Sequence, residues 1–600
     1  MPFGAEMTAE GVRFALWAPT AGEVALVLDG ADHPMPDQGD GWRRLVVPDA
    51  RAGSRYGFRI DRDLLVPDPA SRFQPDDVHR ESLVVDPGAY AWQDAAWTGR
   101  PWEETVLYEV HVGTATPEGT YAGLMGKLEE LRDVGVTAIE LLPVNEFPGR
   151  RNWGYDGVLP YAPDAAYGTP DDLKRLVDRA HGLGLMVFLD VVYNHFGPSG
   201  NYLQAYAKTF FTDRHPTPWG AGINVDGNDA RPVRDFFIHN ALYWLEEFHV
   251  DGLRFDAVHA IVDDGPTHFL EELATRIRAA APRGREVHLV LENEANQARW
   301  LGRDDAGRPR LHTAQWADDS HNSWHPLLTG EAEGYYEDFA DKPVERLGRA
   351  LAEGFVYQND PSRHHGGKRR GEPSSHLPPS AFVGFLQNHD QVGNRAFGER
   401  LSDLVDPGRL ALARALFLLS PQVPLLFQGE DWAATAPFQF FVDFESEPDL
   451  AEAVRNGRRR EFAKFKAFAD PETRDRIPDP TAISTFENSR LDWGEAARAP
   501  HREIRAETRA LLRLRQEAVV PLTKSPYRGG AWSMPQADAL DILWRFEAGH
   551  LRLVANFGTS EAAFSAPGLA PVWSSPEARR EGDRMLLPAW TGAVLRGVAA

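Results

Sequence analysis

Apolar positions along this chain follow two rhythms. In the first, from residue 1 to about 98, short alternating runs at 12–17, 24–28, 42–47 and 56–60 are separated by turn formers such as Pro19 and Gly22. Alternation buries one face of a strand and leaves the other to solvent, so this stretch is predicted to be a small β-sandwich. Its aromatics Trp17, Trp42, Tyr56 and Phe58 are assigned to the sandwich core first and to sugar stacking second.

From Thr105 the apolar runs become continuous and alternate with helical patterns. Runs at 106–112, 138–142, 186–192, 253–256, 289–292, 312–316 (the weakest), 381–386 and 424–428 predict eight buried strands. Amphipathic stretches at 124–134, 173–183, 236–248, 269–281 and 410–419 predict helices between them. Buried strands alternating with helices form a parallel sheet, and eight of them make the fold class α/β, a (β/α)8 TIM barrel. The expected division is a sandwich at 1–98, a barrel at 99–495, a connecting helix at 496–526 and a small C-terminal β domain at 527–600. Two connections, 193–233 and 317–379, are too long for simple loops and should hang over the catalytic face. The run Lys368, Arg369, Arg370 in the second is read as a solvated loop, and Arg458–Arg460 as a solvated or salt-bridged helix face.

Three strands end in acids, where a barrel places its chemistry. The fourth runs Gly252-Leu-Arg-Phe-Asp256, the fifth stops at Glu292, and the seventh leads to Asp390. Residues i and i+2 share a strand face, so Arg254 should keep Asp256 ionised and oriented. Glycoside cleavage needs one carboxylic acid and one carboxylate, about 5–5.5 Å apart when configuration is retained. Neighbouring strands are spaced for that, with Asp256 as nucleophile and Glu292 as acid and base. Glu294 shares a face with Glu292 and competes for that role; Glu292 is chosen because the apolar run stops there. Asp190, Asn194, His195, His259 and His389 ring the same mouth as hydroxyl ligands. Such a set could also hold a metal, but Arg254 is a poor neighbour for a cation, and no metal or cofactor is expected.

Bulk properties narrow the partners. The 600 residues carry a net charge of -24, which disfavours nucleic acid and anionic membranes and suits a neutral substrate. There is no cysteine, so disulfides and thiolate sites are excluded. With no signal-like start and no run of about 18 apolar residues, a soluble cytoplasmic protein is expected. Oligomeric state is not indicated.

Four segments carry a resemblance: Asp190-Val-Val-Tyr-Asn-His195, Gly252 to His259, Glu292 after its apolar strand, and Gln387-Asn-His-Asp390. In this order they are similar to the signature regions of the α-amylase family, glycoside hydrolase family 13. The resemblance implies Asp256 as nucleophile, Glu292 as acid/base and Asp390 as transition-state stabiliser. It implies substrate contacts around Arg254, Phe255, Ala257, Val258 and His259, at Asp190, Asn194 and His195, and at His389, Gln391, Val392, Gly393 and Asn394. Tyr155, in Asn152-Trp-Gly-Tyr155, resembles the stacking tyrosine of the family, and the N-terminal sandwich resembles the module preceding the barrel in branching and debranching members. Asn194 corresponds to a calcium ligand in many amylases, but the accompanying acidic loop is not evident.

The stretch from Gln315 to His325, with Glu331, resembles members that hydrolyse the α-1,4 bond beside the terminal trehalose of maltooligosyltrehalose, releasing trehalose. So do the stretches at 387–395, 428–440, 454–462 and 489–493. That resemblance makes Asp318, Asp319, Ser320, His321 and Asn322, with Tyr335 and Tyr336, an expected trehalose-recognition loop. The alternatives are a glycogen branching transferase and a non-catalytic glycan-binding protein. The former usually has Ala-His where this chain has Asn194-His195.

Overall fold

The computed structural model describes residues 1–281, 284–462 and 476–598. Eight strands close into a parallel barrel. They are β1 (Leu107–Val110), β2 (Ala138–Leu141), β3 (Met186–Val191), β4 (Gly252–Phe255), β5 (His288–Leu291), β6 (Ala314–Trp316), β7 (Phe382–Gly384) and β8 (Val423–Phe427). All eight lie within or against the predicted runs, the weak sixth included.

Period-two alternation explains the barrel interior. Leu107, Ala138, Met186, Phe188, Val290, Ala314, Trp316, Val383, Phe385, Val423 and Leu425 form one buried cluster. Two residues further along several of these strands the same face carries Glu109, Glu140, Asp190 and Glu292. On β4 the inward series is Gly252, Arg254, Asp256. Gly252 has to lack a side chain, because a Cβ there would sit 2.1 Å from Cε1 of Phe188. The interior thus runs from apolar at its base to ionisable at its C-terminal mouth.

The helices start where local chemistry allows. Pro170–Gly182 opens with a reciprocal capping box between Thr169 and Asp172 and a proline at its first position. Pro407–Leu418 opens on Asp406, whose side chain accepts from the N–H groups of Gly408 and Arg409. The helix expected at 124–134 is split into Tyr121–Met125 and Leu128–Val134, at Gly126, a residue of low helix propensity. Within the connecting helix expected at 496–526, the main helix is His501–Leu514, which widens into a π turn at Arg515–Val519.

Before the barrel, two antiparallel sheets face each other around Phe14, Leu26, Tyr56 and Phe58. Trp17, Tyr56 and Phe58 are buried, and Trp42 packs on Phe3 with ring centroids 5.0 Å apart. After it come a five-stranded and a three-stranded antiparallel sheet; positions 599 and 600 of the expected C-terminal domain lie outside the described residues. Among the described residues no helix is long and apolar enough to cross a membrane.

Candidate active site

Strand register brings the ionisable side chains together. Asp190 is the direct partner of Arg254 across β3 and β4, and Phe255 pairs with Leu291 across β4 and β5. Asp256 and Glu292 therefore leave adjacent strands one residue beyond the last paired rung. Buried Arg254 is the hub. Its Nη1 donates to both carboxylate oxygens of Asp190, at 2.9 and 2.8 Å, and to Oδ1 of Asp256 at 2.7 Å. Its Nη2 lies 2.9 Å from Oε2 of Glu292. The guanidinium rests on the Trp316 ring, 4.1 Å from its centroid, a cation–π contact that fixes its plane.

Each acid has a second anchor. Oδ2 of Asp256 accepts from Asn194 Nδ2 at 2.9 Å, and the same nitrogen donates to the Asp256 carbonyl at 2.8 Å. The other end of that amide meets the His195 ring, so Asn194 is anchored at both ends. Ala257 adopts the left-handed region, φ 40°, costly for any residue but glycine. That turn aims its N–H at Oε2 of Glu292, 2.8 Å away.

The two acids are pushed in opposite directions. Burial raises the Asp256 carboxyl, but the Arg254 charge, with His195 and the Asn194 bond, outweighs it and holds it below the usual aspartate value. For Glu292 burial wins: Asp256, Asp318 and Asp390 add repulsion that Arg254 does not offset, and the carboxyl lies well above the usual glutamate value. A carboxylate beside a carboxylic acid is what acid-assisted displacement requires. Glu294, by contrast, is exposed at the rim, 3.0 Å from His365 and 3.7 Å from His259.

Asp390 sits in the first turn of His389–Gly393, capped by the Asn388 side chain. Its Oδ1 accepts from Asn394 Nδ2 at 2.6 Å. His389 is bound to Glu109 through both its backbone N–H and its ring; burial pushes the imidazole down, but the Glu109 charge overrides it and leaves it raised. Tyr155 stacks on His389, centroids 5.1 Å apart, and its hydroxyl donates to Asp190 Oδ2 at 2.6 Å. His195 Nε2 is 3.0 Å from the Tyr155 carbonyl.

The other expected positions range from buried to exposed. Residues 318–325 belong to a helix, Asp318–Thr329, not a loop. Asp318 is half-buried, and burial with Asp319 beside it pushes its carboxyl up to about 7. Asp319 is turned inward: it accepts from Arg370 at 2.7 Å, from Asn296 at 2.9 Å and from the backbone of Val356 and Tyr357. Ser320 and Asn322 are buried. His321 is buried between the Leu386 carbonyl, at 2.7 Å, and the Tyr336 hydroxyl, at 3.1 Å. Tyr336 is buried and stacks on His325, whereas Tyr335 is exposed. Phe255, Val258 and Val392 are buried, and Gly393 abuts Trp153; Ala257 is buried, Gln391 and His259 are partly exposed, and Asn394 is exposed. Arg370 is not a solvated loop residue, since it also donates to the Glu294 carbonyl at 2.8 Å. Arg458 is buried rather than solvated, and keeps an ion pair with Glu461 at 3.2 Å.

Three further site residues did not emerge from the pattern. Glu109 and Trp316 sit at the inner ends of β1 and β6, and an acid inside an apolar run was the available signal for the first. Trp219, 51% exposed, stacks on His195 with centroids 4.6 Å apart; it lies in the hairpin Phe211–Thr217 and Gly220–Ile223, whose sequence has no diagnostic rhythm.

Known proteins match this architecture. Residues 94–242 match the alpha amylase catalytic domain, residues 2–87 match carbohydrate-binding module 48 (isoamylase N-terminal domain), and residues 528–594 match a domain of unknown function. A malto-oligosyltrehalose trehalohydrolase of Rhizobium sp. is 40% identical, covering 97% of both chains. That of Deinococcus radiodurans is 43% identical, over 92% of this chain and 88% of its own. A crystal structure of a Salmonella typhimurium protein described as an alpha amylase superposes with a TM-score of 0.93 at 44% identity, covering 99% of each chain.

Proposed function

The chain belongs to the malto-oligosyltrehalose trehalohydrolase family, glycoside hydrolases with an α-amylase catalytic barrel, and from that premise we propose that it hydrolyses the α-1,4-glucosidic bond next to the terminal trehalose of maltooligosyltrehalose. The observation that supports retaining cleavage is the pair Asp256 and Glu292 held by the two terminal nitrogens of one arginine and shifted in opposite directions; the trehalose end of the reading rests on the likeness to the trehalohydrolases.

In this mechanism the ionised Asp256 attacks C1 of the glucose on the donor side of the scissile bond. Glu292 gives its proton to the glycosidic oxygen, and trehalose leaves with that oxygen. The C1–O bond to trehalose breaks as the C1–Oδ bond to Asp256 forms, giving a maltooligosaccharyl ester. Glu292, now a carboxylate, takes a proton from water, which attacks the same C1 and frees Asp256. Two inversions retain the α configuration. Asp390 faces the positive charge that builds on the sugar ring between these states, Tyr155 offers that ring an apolar platform, and His389 binds its hydroxyls, whereas both ring nitrogens of His195 are engaged by Asn194 and the Tyr155 carbonyl.

The same reading places the protein in cytoplasmic trehalose biosynthesis. Its test is incubation with maltotriosyltrehalose beside plain maltopentaose, with products resolved by chromatography and the first-formed anomer read by NMR. Free trehalose and α-maltotriose from the first substrate, with little cleavage of the second, are expected. New α-1,6 branches on amylose without trehalose would assign the chain to the transferases, and binding without turnover would make it a glycan-binding protein.

A further inference from the structure

The helix Pro448–Phe462 lies outside the acid cluster, and Arg458 in it is buried without touching the acids. Its guanidinium reaches the segment just after Asp390. Nη2 donates to the carbonyls of Gly393 at 2.7 Å and Arg395 at 3.1 Å, and Nη1 approaches Asn394 Oδ1 at 3.3 Å and Glu461 Oε2 at 3.2 Å. Phe462 and Phe440 lie against it, with ring centroids 4.6 and 5.5 Å from its central carbon. Three consecutive residues are thus pinned from one side.

The consequence lies in the asymmetry of the Asn394 amide. A carboxamide has an acceptor at one end and donors at the other, whereas a guanidinium can only donate. By engaging Oδ1, Arg458 forces Nδ2 to the opposite side, where it donates to Oδ1 of Asp390 at 2.6 Å. A reversed amide would present its oxygen to the carboxylate and its Nδ2 to the guanidinium, repelling both, so Arg458 and Asp390 together select one orientation. We propose that Arg458 is a positioning residue for the third acid, acting through Asn394 to fix the place and orientation of the Asp390 carboxylate. Arg458 also brings a buried positive charge behind Asp390, whose field Arg458 feels in turn. The sequence run containing it has no other role in the proposed reaction.

The proposal rests on the hydrolase reading, and its test is a double-mutant cycle with steady-state kinetics on maltotriosyltrehalose. Arg458→Ala and Asn394→Ala should each lower kcat about 10–100-fold, the scale of a displaced catalytic group, with KM within about twofold. The double variant should be no slower than the worse single one, because the two act in series. Guanidinium ion should restore part of kcat in Arg458→Ala and none in the double variant, and Arg458→Lys, a point donor, should stay slow. If Arg458→Ala does not fold, Arg458→Gln takes its place in the cycle, with thermal unfolding recorded for each protein. Unchanged kcat in folded variants, additive losses, or a loss expressed in KM would overturn the proposal. A wild-type protein that cleaves a different α-1,4-glucan would instead refute the substrate reading, and the cycle would then be run on that glucan.

Discussion

Arg254 holds Asp256 through Nη1 and Glu292 through Nη2, yet one carboxyl is lowered and the other raised. The difference is the balance of burial against charge at each oxygen. Asp256 adds His195 and Asn194 to the arginine, while Glu292 faces three other acids. Since the reaction needs Asp256 ionised and Glu292 protonated, kcat/KM should be bell-shaped in pH. Activity falls on the acid side as Asp256 takes up a proton, below the usual aspartate value, and on the alkaline side as Glu292 loses its own, above the usual glutamate value. Replacing Arg254 by methionine removes the cation that favours both anions, so both limbs should move to higher pH; limbs that stay put would show that the arginine does not set these protonation states. Glu292→Gln should lower kcat by about 10²–10⁴, measured with the same substrate. Ala257, in the left-handed region, stores strain to aim one N–H. Ala257→Gly should raise stability by about 1 kcal/mol after the chain entropy of glycine is subtracted, read by thermal unfolding, and lower stability in that variant would mean the turn is unstrained.

At the scale of elements, the helix Asp318–Thr329 and the short hairpin Asp360–Pro361 with Arg369–Arg370 are locked by the pair Asp319–Arg370, both largely buried. Arg370→Met leaves the Asp319 carboxylate buried without its cation. Its three N–H donors remain, so the cost is expected near the lower end of the range for a broken buried pair, about 3 kcal/mol, seen as a lowered thermal midpoint. A shift within error would show the hairpin to be held by other contacts. This pair also shows what the sequence could and could not disclose. The eight barrel strands were legible because each is a short apolar run bounded by turns, and the acids Asp256 and Glu292 because each ends such a run; Asp390, expected at the end of the seventh strand, lies beyond it in the first turn of a helix. Asp318–Thr329 was not legible as a helix: its inward face carries Asp319, His321 and Asn322, and Pro326 interrupts it, so no apolar stripe marks it. Its polar side chains looked like ligands for a sugar, but several are partners for buried backbone and for one another. The same confusion explains Arg370 and Arg458, since a run of basic residues gives no sign of which member turns inward. Glu109 was missed because one acid inside an apolar strand has no partner in sequence, whereas its partner His389 lies 280 residues away.

On the scale of the molecule, the segment between the N-terminal sandwich and the barrel is fastened to the barrel base by histidines. His181 is bonded through Nδ1 to Asp94 and through Nε2 to Asp251, both at 2.9 Å, and His249 Nδ1 meets the same Asp94 oxygen at 2.8 Å. Trp97 stacks on His181 and donates from Nε1 to Asp251 at 2.7 Å, while Trp92 stacks on His249. Arg285 approaches Asp251 to 3.8 Å. Burial lowers the His181 imidazole, but the bonds to Asp251 and Asp94 override it and leave it raised. Burial likewise raises Asp94, and the two histidine bonds bring it down to about 2. The signs fix the pH window. A base whose folded value is raised contributes stability that is complete below its unfolded value, about 6.5, and lost as pH climbs through the folded one. The lowered Asp94 contributes above the ordinary aspartate value and loses its contribution as pH falls through about 2. Thermal midpoints of the wild-type protein and His181→Gln, recorded from pH 5 to pH 9, should therefore differ most at the acid end of that interval and converge toward the alkaline end. A constant difference across it would mean that His181 acts only by packing against Trp97, and that its charge contributes nothing to holding the segment on the barrel.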